Sequence, residues 1–136
     1  MIVTVPVSVV ELLDKMSILR IKLAQFRDEG KRHNARRELD ELEAVSRAHG
    51  LSHAALEAAL DEVNGRLWVV EDELRVLERD QDFGPRFVEL ARAVYVTNDQ
   101  RARIKRDLNE AFGSTLVEEK QYVDYGPGDA ARAGRP

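Results

Sequence analysis

The sequence predicts an all-α protein of four main helices, arranged as two antiparallel hairpins with a short extended N-terminal segment and a C-terminal tail. Three observations carry that class. Apolar residues recur in alternating steps of three and four along four separate stretches, the spacing that keeps one seam of a helix against a partner. Polar breaks at Glu29-Gly30, His49-Gly50 and Asp82-Phe83-Gly84-Pro85 separate the stretches. Composition agrees: 34% of the residues are charged and only 6% aromatic, with Ala, Leu, Glu, Arg and Val dominant, a mixture suited to coiled-coil-like packing. At 136 residues the chain is long enough for one domain and too short for two. We place that domain at 1–125, and read the terminal GPGDAARAGRP at 126–136 as a disordered tail.

Each element has its own signals. Ile2–Val7 is β-branched but interrupted by Pro6, so it is an edge strand or an extended lead-in. Ser8-Val9-Val10-Glu11 reads as a capping box, with Val7 and Leu12 placed as its hydrophobic staple, so helix 1 starts near Val9. Its seam runs Val9, Leu12, Met16, Leu19, Leu23, Phe26, and Ile18 and Ile21 widen the apolar face toward more than one neighbour. Helix 2, from about Lys31 to Ala48, has the thinner face of an outer helix: Ala35, Leu39, Leu42, Val45. Gly50 supplies its C-terminal cap, and Ser52 is placed to cap the next helix.

Helix 3, about His53 to Asp80, repeats Leu56, Leu60, Val63, Leu67, Val70, Leu74 and Leu77 without an exception and would be about 40 Å long. Gly65 inside it costs roughly 1 kcal/mol relative to Ala, so either a neighbour packs closely there or the helix is locally weak. Pro85 falls in the tolerated first turn of helix 4. The seam of helix 4 runs Phe87, Leu90, Val94, Thr97, Arg101, Ile104, Leu108, Ala111. Thr97-x-x-Gln100 has the form of a second capping box, which leaves that helix either continuous or broken near Thr97. Gly113-Ser114 ends it, and Leu116–Tyr125 is an extended segment that covers the bundle or pairs with Ile2–Val7.

Composition also excludes classes of function. A net charge of −4 removes a global electrostatic case for nucleic acid or an anionic membrane. Four basic residues in Arg101–Arg106 lack the interleaved aromatics of a nucleic-acid surface. The absence of cysteine removes disulfides, thiolate metal sites and cysteine catalysis. The first residues lack the basic start and apolar run of a signal peptide, and no apolar stretch approaches the roughly 20 residues of a membrane span, so the expectation is a cytoplasmic bacterial protein.

A metal-dependent nucleotide pyrophosphatase needs paired carboxylates on facing helices. Glu11-x-x-Asp14 and Glu38-x-x-Glu41 have the spacing but fall about 10 Å apart in level and in reverse order. His49 and His53 are separated by the helix break, and no Ser-His-Asp set, phosphate-binding Gly-rich loop or helical His-Glu-x-x-His is present. No cofactor and no metal is expected.

The feature that stands out is polar. On the helix 4 seam Thr97 and Arg101 interrupt six apolar positions, and a guanidinium cannot be deprotonated to escape burial. It must reach water, a carboxylate or a bound anion. Short connections make consecutive helices antiparallel, which pairs Leu23 with Ala35, Leu19 with Leu39, Met16 with Leu42, and Leu90 with Leu74. The same counting sets Arg101 beside Val63 and Asn64, with Ile21 and Lys22 near that level if the hairpin ends align. The candidate ligand-binding layer is therefore Lys22, Asn64, Trp68, Asn98, Asp99, Arg101 and Lys105, with Lys22, Arg101 and Lys105 suited to a phosphate or carboxylate. For Trp68 the alternative is a core indole bonded to Asn98, and for Arg101 a structural ion pair.

Several stretches together resemble a small bacterial all-helical family, a domain of unknown function found alone or beside glycosyltransferase and surface-polysaccharide genes. They are Pro6-Val7-Ser8, Glu11-Leu12-x-Asp14-Lys15-x-Ser17-Ile18-Leu19-x-Ile21-Lys22, Asn64-x-x-Leu67-Trp68-x-x-Glu71-Asp72, Phe83-Gly84-x-Arg86-Phe87, Tyr95-x-x-Asn98-Asp99-x-Arg101-Ala102-x-Ile104-Lys105 and Gly113-Ser114-x-Leu116-Val117-Glu118-Glu119-Lys120-x-Tyr122. Arg20 stands where that pattern has an acidic residue. The resemblance implies the helical fold and a link to surface-glycan assembly. The function expected is a non-enzymatic interaction or accessory module, associating with itself as a homodimer or with another protein. The alternative is a small-molecule-binding protein or enzyme acting on a phosphate or carboxylate compound through the polar layer.

Overall fold

The computed structural model describes residues 1–125. Four helices form, α1 Val9–Gln25, α2 Glu29–Ala48, α3 Ala54–Arg79 and α4 Pro85–Phe112, with no strand among the described residues. The protein is thus all-α, as the seams predict. Ile2–Val7 and Leu116–Tyr125 form neither helix nor strand, and the expectation for 126–136 lies outside the described residues.

Helix α1 is the centre of the fold: it packs against α2, α3 and α4, whereas α2 packs against α1 alone and α3 pairs along its length with α4. Contact on three sides explains why burial on α1 is broader than one seam. Val10, Leu13, Met16, Leu19 and Leu23 are buried, while the predicted seam residues Val9, Leu12 and Phe26 pack at the edge of the same core. Ala35 and Leu39 reach that core from α2, Leu60 and Val63 from α3, and Leu108 from α4. At the end of α4 it is Phe112, not Ala111, that packs inward, with its ring edge-on to His53 at 6.4 Å.

Several termini depart from the sequence reading. The Ser8 side chain makes no cap bond and no capping box forms. Instead the Val10 N–H donates to Asn109 Oδ1 of α4 at 3.2 Å, and the Glu11 carboxylate turns toward Lys105. Helix α2 begins two residues earlier than expected because Asp28 Oδ1 accepts from the Lys31 N–H at 2.8 Å, which places Gly30 inside the first turn. Arg32 then reaches back to the carbonyls of Leu23 and Phe26, satisfying the end of α1. His53, rather than Ser52, caps α3: its ring accepts from Leu56 N–H at 3.4 Å while its own N–H donates to Glu57 at 2.7 Å.

Gly50 adopts a left-handed φ of 63°, and Leu51 N–H reaches Ser46 O at 3.1 Å, the hydrogen bond of a Schellman turn. Gln81, with φ 55°, holds the same conformation at the end of α3 without being glycine. Just before it, a hydrogen bond from Arg79 holds the exposed Asp80 carboxyl below its ordinary range. Helix α4 runs unbroken through Thr97, whose side chain is buried. A β-branched residue is tolerated mid-helix when tertiary packing supports it.

The hairpins are antiparallel but not level. Helices of 26 and 28 residues in α3–α4 face 17 in α1, about 40 Å against about 26 Å, so the α3–α4 hairpin projects past the end of α1. The burial pattern follows: no residue of α3 beyond Leu67 is buried, and Leu90 is the only buried residue in the first three turns of α4. Among the described residues, no helix is long and apolar enough to cross a membrane.

Candidate functional site

A polar ladder runs between α4 and α1 beside the apolar core. On α4, Arg101, Lys105 and Asn109 are spaced by four residues and so occupy one stripe. Facing them on α1 are Asp14, Glu11 and the first free N–H groups of the helix. Asp14 is 4% exposed, yet it is well supplied with donors. Asn64 Nδ2 of α3 donates to Asp14 Oδ1 at 2.9 Å and lies 3.1 Å from Ser17 Oγ. Arg101 Nη2 donates to Asp14 Oδ2, and Arg101 Nε donates to Asn64 Oδ1 at 2.8 Å. The asparagine therefore bridges three helices, accepting from α4 and donating to α1.

One turn further on, Lys105 Nζ lies 2.8 Å from Glu11 Oε1 and 3.6 Å from Asp14 Oδ2. Glu11 Oε1 has no well-directed hydrogen bond, so the ammonium charge is what compensates it. Another turn on, Asn109 caps Val10. Two carboxylates thus face two cations, and the internal part of the ladder is neutral. Burial of such a set is tolerated only because its charges are paired and its lone pairs filled.

The C-terminal segment closes the outer side. After Gly113 reverses the chain, Glu118 approaches Lys105 at 3.9 Å, Glu119 approaches Arg106 at 3.9 Å, and Tyr125 donates to Asp99 Oδ2 at 2.5 Å with its ring edge-on to Tyr95. The space left between ladder and tail, lined by Glu11, Lys105, Asn109 and Glu118 among others, is about 40 Å³. That admits a water or two and no sugar or phosphate ester.

Of the seven residues singled out from sequence, the structure brings Asn64, Arg101 and Lys105 together. Asp99 serves the tail through Tyr125. Asn98 is half-buried on α4, one turn from the ladder, and its side chain makes no hydrogen bond among the described residues. Trp68 packs at 6.4 Å from Phe26; its shielded Nε1 has no partner, so the expected bond to Asn98 does not form. Lys22 is not in the layer: the projection of α3–α4 brings Asp14 and Ser17, rather than Ile21 and Lys22, to the level of Arg101. Lys22 lies near the α1–α2 turn with Phe26 and Lys31. Lys22, Arg101 and Lys105 therefore share no cavity.

Glu11 and Asp14, whose spacing in the sequence is set aside as a metal pair and which are not among the seven candidates, are the acceptors of the ladder. Their signal was positional: Asp14 and Ser17 sit on one face of α1 inside the apolar run VVELLDKMSIL, where a carboxylate demands a cation. Asn109 had no comparable signal. No family model, curated protein or solved structure matches this chain.

Proposed function

We propose that this chain is a non-enzymatic interaction module that associates with a second copy of itself through the projecting half of the α3–α4 hairpin. The observation that carries the reading is an uncovered apolar face on that hairpin. Val69 and Val76 are exposed seven residues apart on α3, and Phe83 and Val88 are exposed at and after the turn. A groove of about 720 Å³ runs along α4 here, lined by Phe83, Pro85, Val88, Glu89, Arg92 and Val96. Exposed apolar residues also lie along 1–7 and 116–125, but those of the hairpin stand on helices and a tight turn, and an uncovered apolar patch there suits an interaction site.

A second copy fits its charge. Residues 68–82 carry six Asp or Glu and two Arg, whereas 83–96 carry two Arg and one Glu. A two-fold axis sets α3 of one copy against α4 of the other, valines on valines and Asp72 near Arg92, while Glu73 stays paired with Arg86 at 2.7 Å within its own hairpin. The neutral ladder argues against the alternative role: its cations already hold carboxylates, so an incoming anion would have to displace Asp14 or Glu11. The cytoplasm and bacterial surface-glycan assembly are the setting we assign, the latter on the sequence resemblance alone.

Sedimentation equilibrium tests this. A dimer in the micromolar range is expected, dissociating at least ten-fold more readily in Val76→Lys and Val88→Lys. A wild-type chain that stays monomeric to about 1 mM removes the proposal. So does saturable binding of a phosphate or carboxylate compound that Arg101→Ala abolishes, because that places the function in the ladder.

A further inference from the structure

Residues 20–37, covering the end of α1, the turn and the first half of α2, carry seven Lys or Arg and two Asp or Glu, a net of +5 in a chain of net −4. Part of this charge is committed within the fold. Arg20 pairs with Asp61 at 2.9 Å, Arg36 faces Asp40 at 3.9 Å, and Arg32 caps α1 through two carbonyls. Lys22, Arg27, Lys31 and Arg37 have no carboxylate partner among the described residues.

Two of those four cations line one groove. Lys22 of α1 and Lys31 of α2 line a cleft of about 280 Å³ between the two helices. Its floor is the buried Leu19 and Ala35, and the Phe26 ring forms one wall, with Lys31 Nζ 5.9 Å from the ring centroid. Asn34 stands on the rim, together with Glu38, whose charge Lys15 answers at 2.8 Å.

We propose that this groove binds a small organic phosphate. Two mobile ammonium groups supply point charges for a phosphate, and the amide of Asn34 can exchange hydrogen bonds with a hydroxyl or carbonyl of the ligand. The apolar floor and aromatic wall accept the organic body. An apolar cavity with a few convergent polar groups is the usual form of a ligand site, and this one lies at the small end of the roughly 300–1,000 Å³ range. A single sugar or nucleoside phosphate is the size that fits. With Asp61 and Asp40 set against Arg20 and Arg36, the net of +5 falls by two to +3, which still raises the local concentration of anions and makes the affinity fall with added salt. The site is separate from the ladder and from the projecting hairpin, so its fate does not depend on either.

The test titrates the full chain with uridine monophosphate and with glucose 1-phosphate, following amide shifts by NMR and heat by calorimetry. Two double variants remove the same charge from the same corner. Lys22→Ala with Lys31→Ala strips the groove; Arg27→Ala with Arg37→Ala leaves it intact. Thermal melts confirm that both fold. The expected result is saturable 1:1 binding of at least one phosphate ester, with shifts centred on Phe26 and Asn34. Affinity should be weakened at least ten-fold in the lysine pair and less than three-fold in the arginine pair. Equal weakening in both pairs means a diffuse basic surface without a site, and overturns the proposal. Failure of both esters to saturate by about 10 mM overturns it as well.

Discussion

Removing the Asp14 carboxylate should unsettle the whole bundle, and the structure indicates by how much. Asp14 accepts from Asn64 and Arg101 and faces Lys105 at 3.6 Å from a position 4% exposed. In Asp14→Ala the buried Lys105 and the half-buried Arg101 are left with Glu11 as the one close carboxylate inside the bundle among the described residues, and Asn64 loses its acceptor. Breaking a buried ion pair from one side costs about 3–5 kcal/mol, a large part of the roughly 5–15 kcal/mol that holds a domain together. With an unfolding entropy of about 2.1 cal/mol/K per residue over the 125 described residues, Tm should fall by about 11–19 °C. Arg101→Ala should cost less, about 1–3 kcal/mol, because Asp14 then keeps both Asn64 and Lys105. Glu11→Ala, at a half-exposed carboxylate, should cost least. Calorimetric melts of the three variants decide the matter. If Asp14→Ala melts within about 3 °C of wild type, or if the order of the three reverses, the ladder is not structural and the argument from charge compensation fails.

Smaller changes test the local reasoning. A Cβ built at Gly65 meets nothing within 4 Å, so no close packing requires the glycine, and Gly65→Ala should stabilise by about 0.5–1 kcal/mol in urea unfolding. Gln81 holds a left-handed φ of 55° that glycine adopts without penalty; Gln81→Gly should add about 0.5–1 kcal/mol despite losing the side-chain bond to Glu78 O, and a lower urea midpoint would contradict this. Asn109→Ala removes the acceptor for Val10 N–H and should cost about 1–2 kcal/mol, with faster hydrogen exchange confined to the first turn of α1.

Much of the architecture was readable because the seams are long and regular. Leu60, Val63 and Leu67 on α3, and Leu90 and Leu108 on α4, are buried where a 3.5-residue repeat puts them. The Arg101–Asn64 register also followed from counting back along a short hairpin. What failed was the relation between the hairpins. Counting within a hairpin is constrained by its turn, but nothing local states how far one hairpin slides along another. Aligning the ends put Lys22 beside Arg101; core packing instead lets α3–α4 run past α1 and presents Asp14. Capping was legible at Gly50 and Pro85, but the local caps at Asp28 and His53 were not read and the Ser8 box does not form. It was illegible at Val10, whose acceptor lies 99 residues away. Similarly, the bond from Trp68 to Asn98, one of two alternatives the sequence offers for that indole, does not form, and packing against Phe26 leaves its N–H unpaired.

The ladder also explains how one register is chosen. An apolar seam of period 3.5 discriminates poorly between registers a turn apart, because Ile104 and Leu108 would meet equally apolar positions after a slip of about 5.4 Å. The polar stripe does discriminate. Sliding α4 by a turn toward the start of α1 carries Arg101 to Glu11 and Lys105 to the positive end of α1, and leaves Asp14 and Asn64 buried without Arg101. Sliding it the other way carries Arg101 past Asp14 toward the apolar stretch at Ile18 and Leu19. Each alternative strands a buried charge, at a cost of several kcal/mol. On this account, the combined substitution Asp14→Leu, Asn64→Leu, Arg101→Met should keep helicity and most of the stability while losing the single register. Its amide NMR spectrum should show more than one peak for residues of α4, or line broadening confined to α4. A sharp, single-state spectrum from that variant would show that the apolar seams alone fix the register.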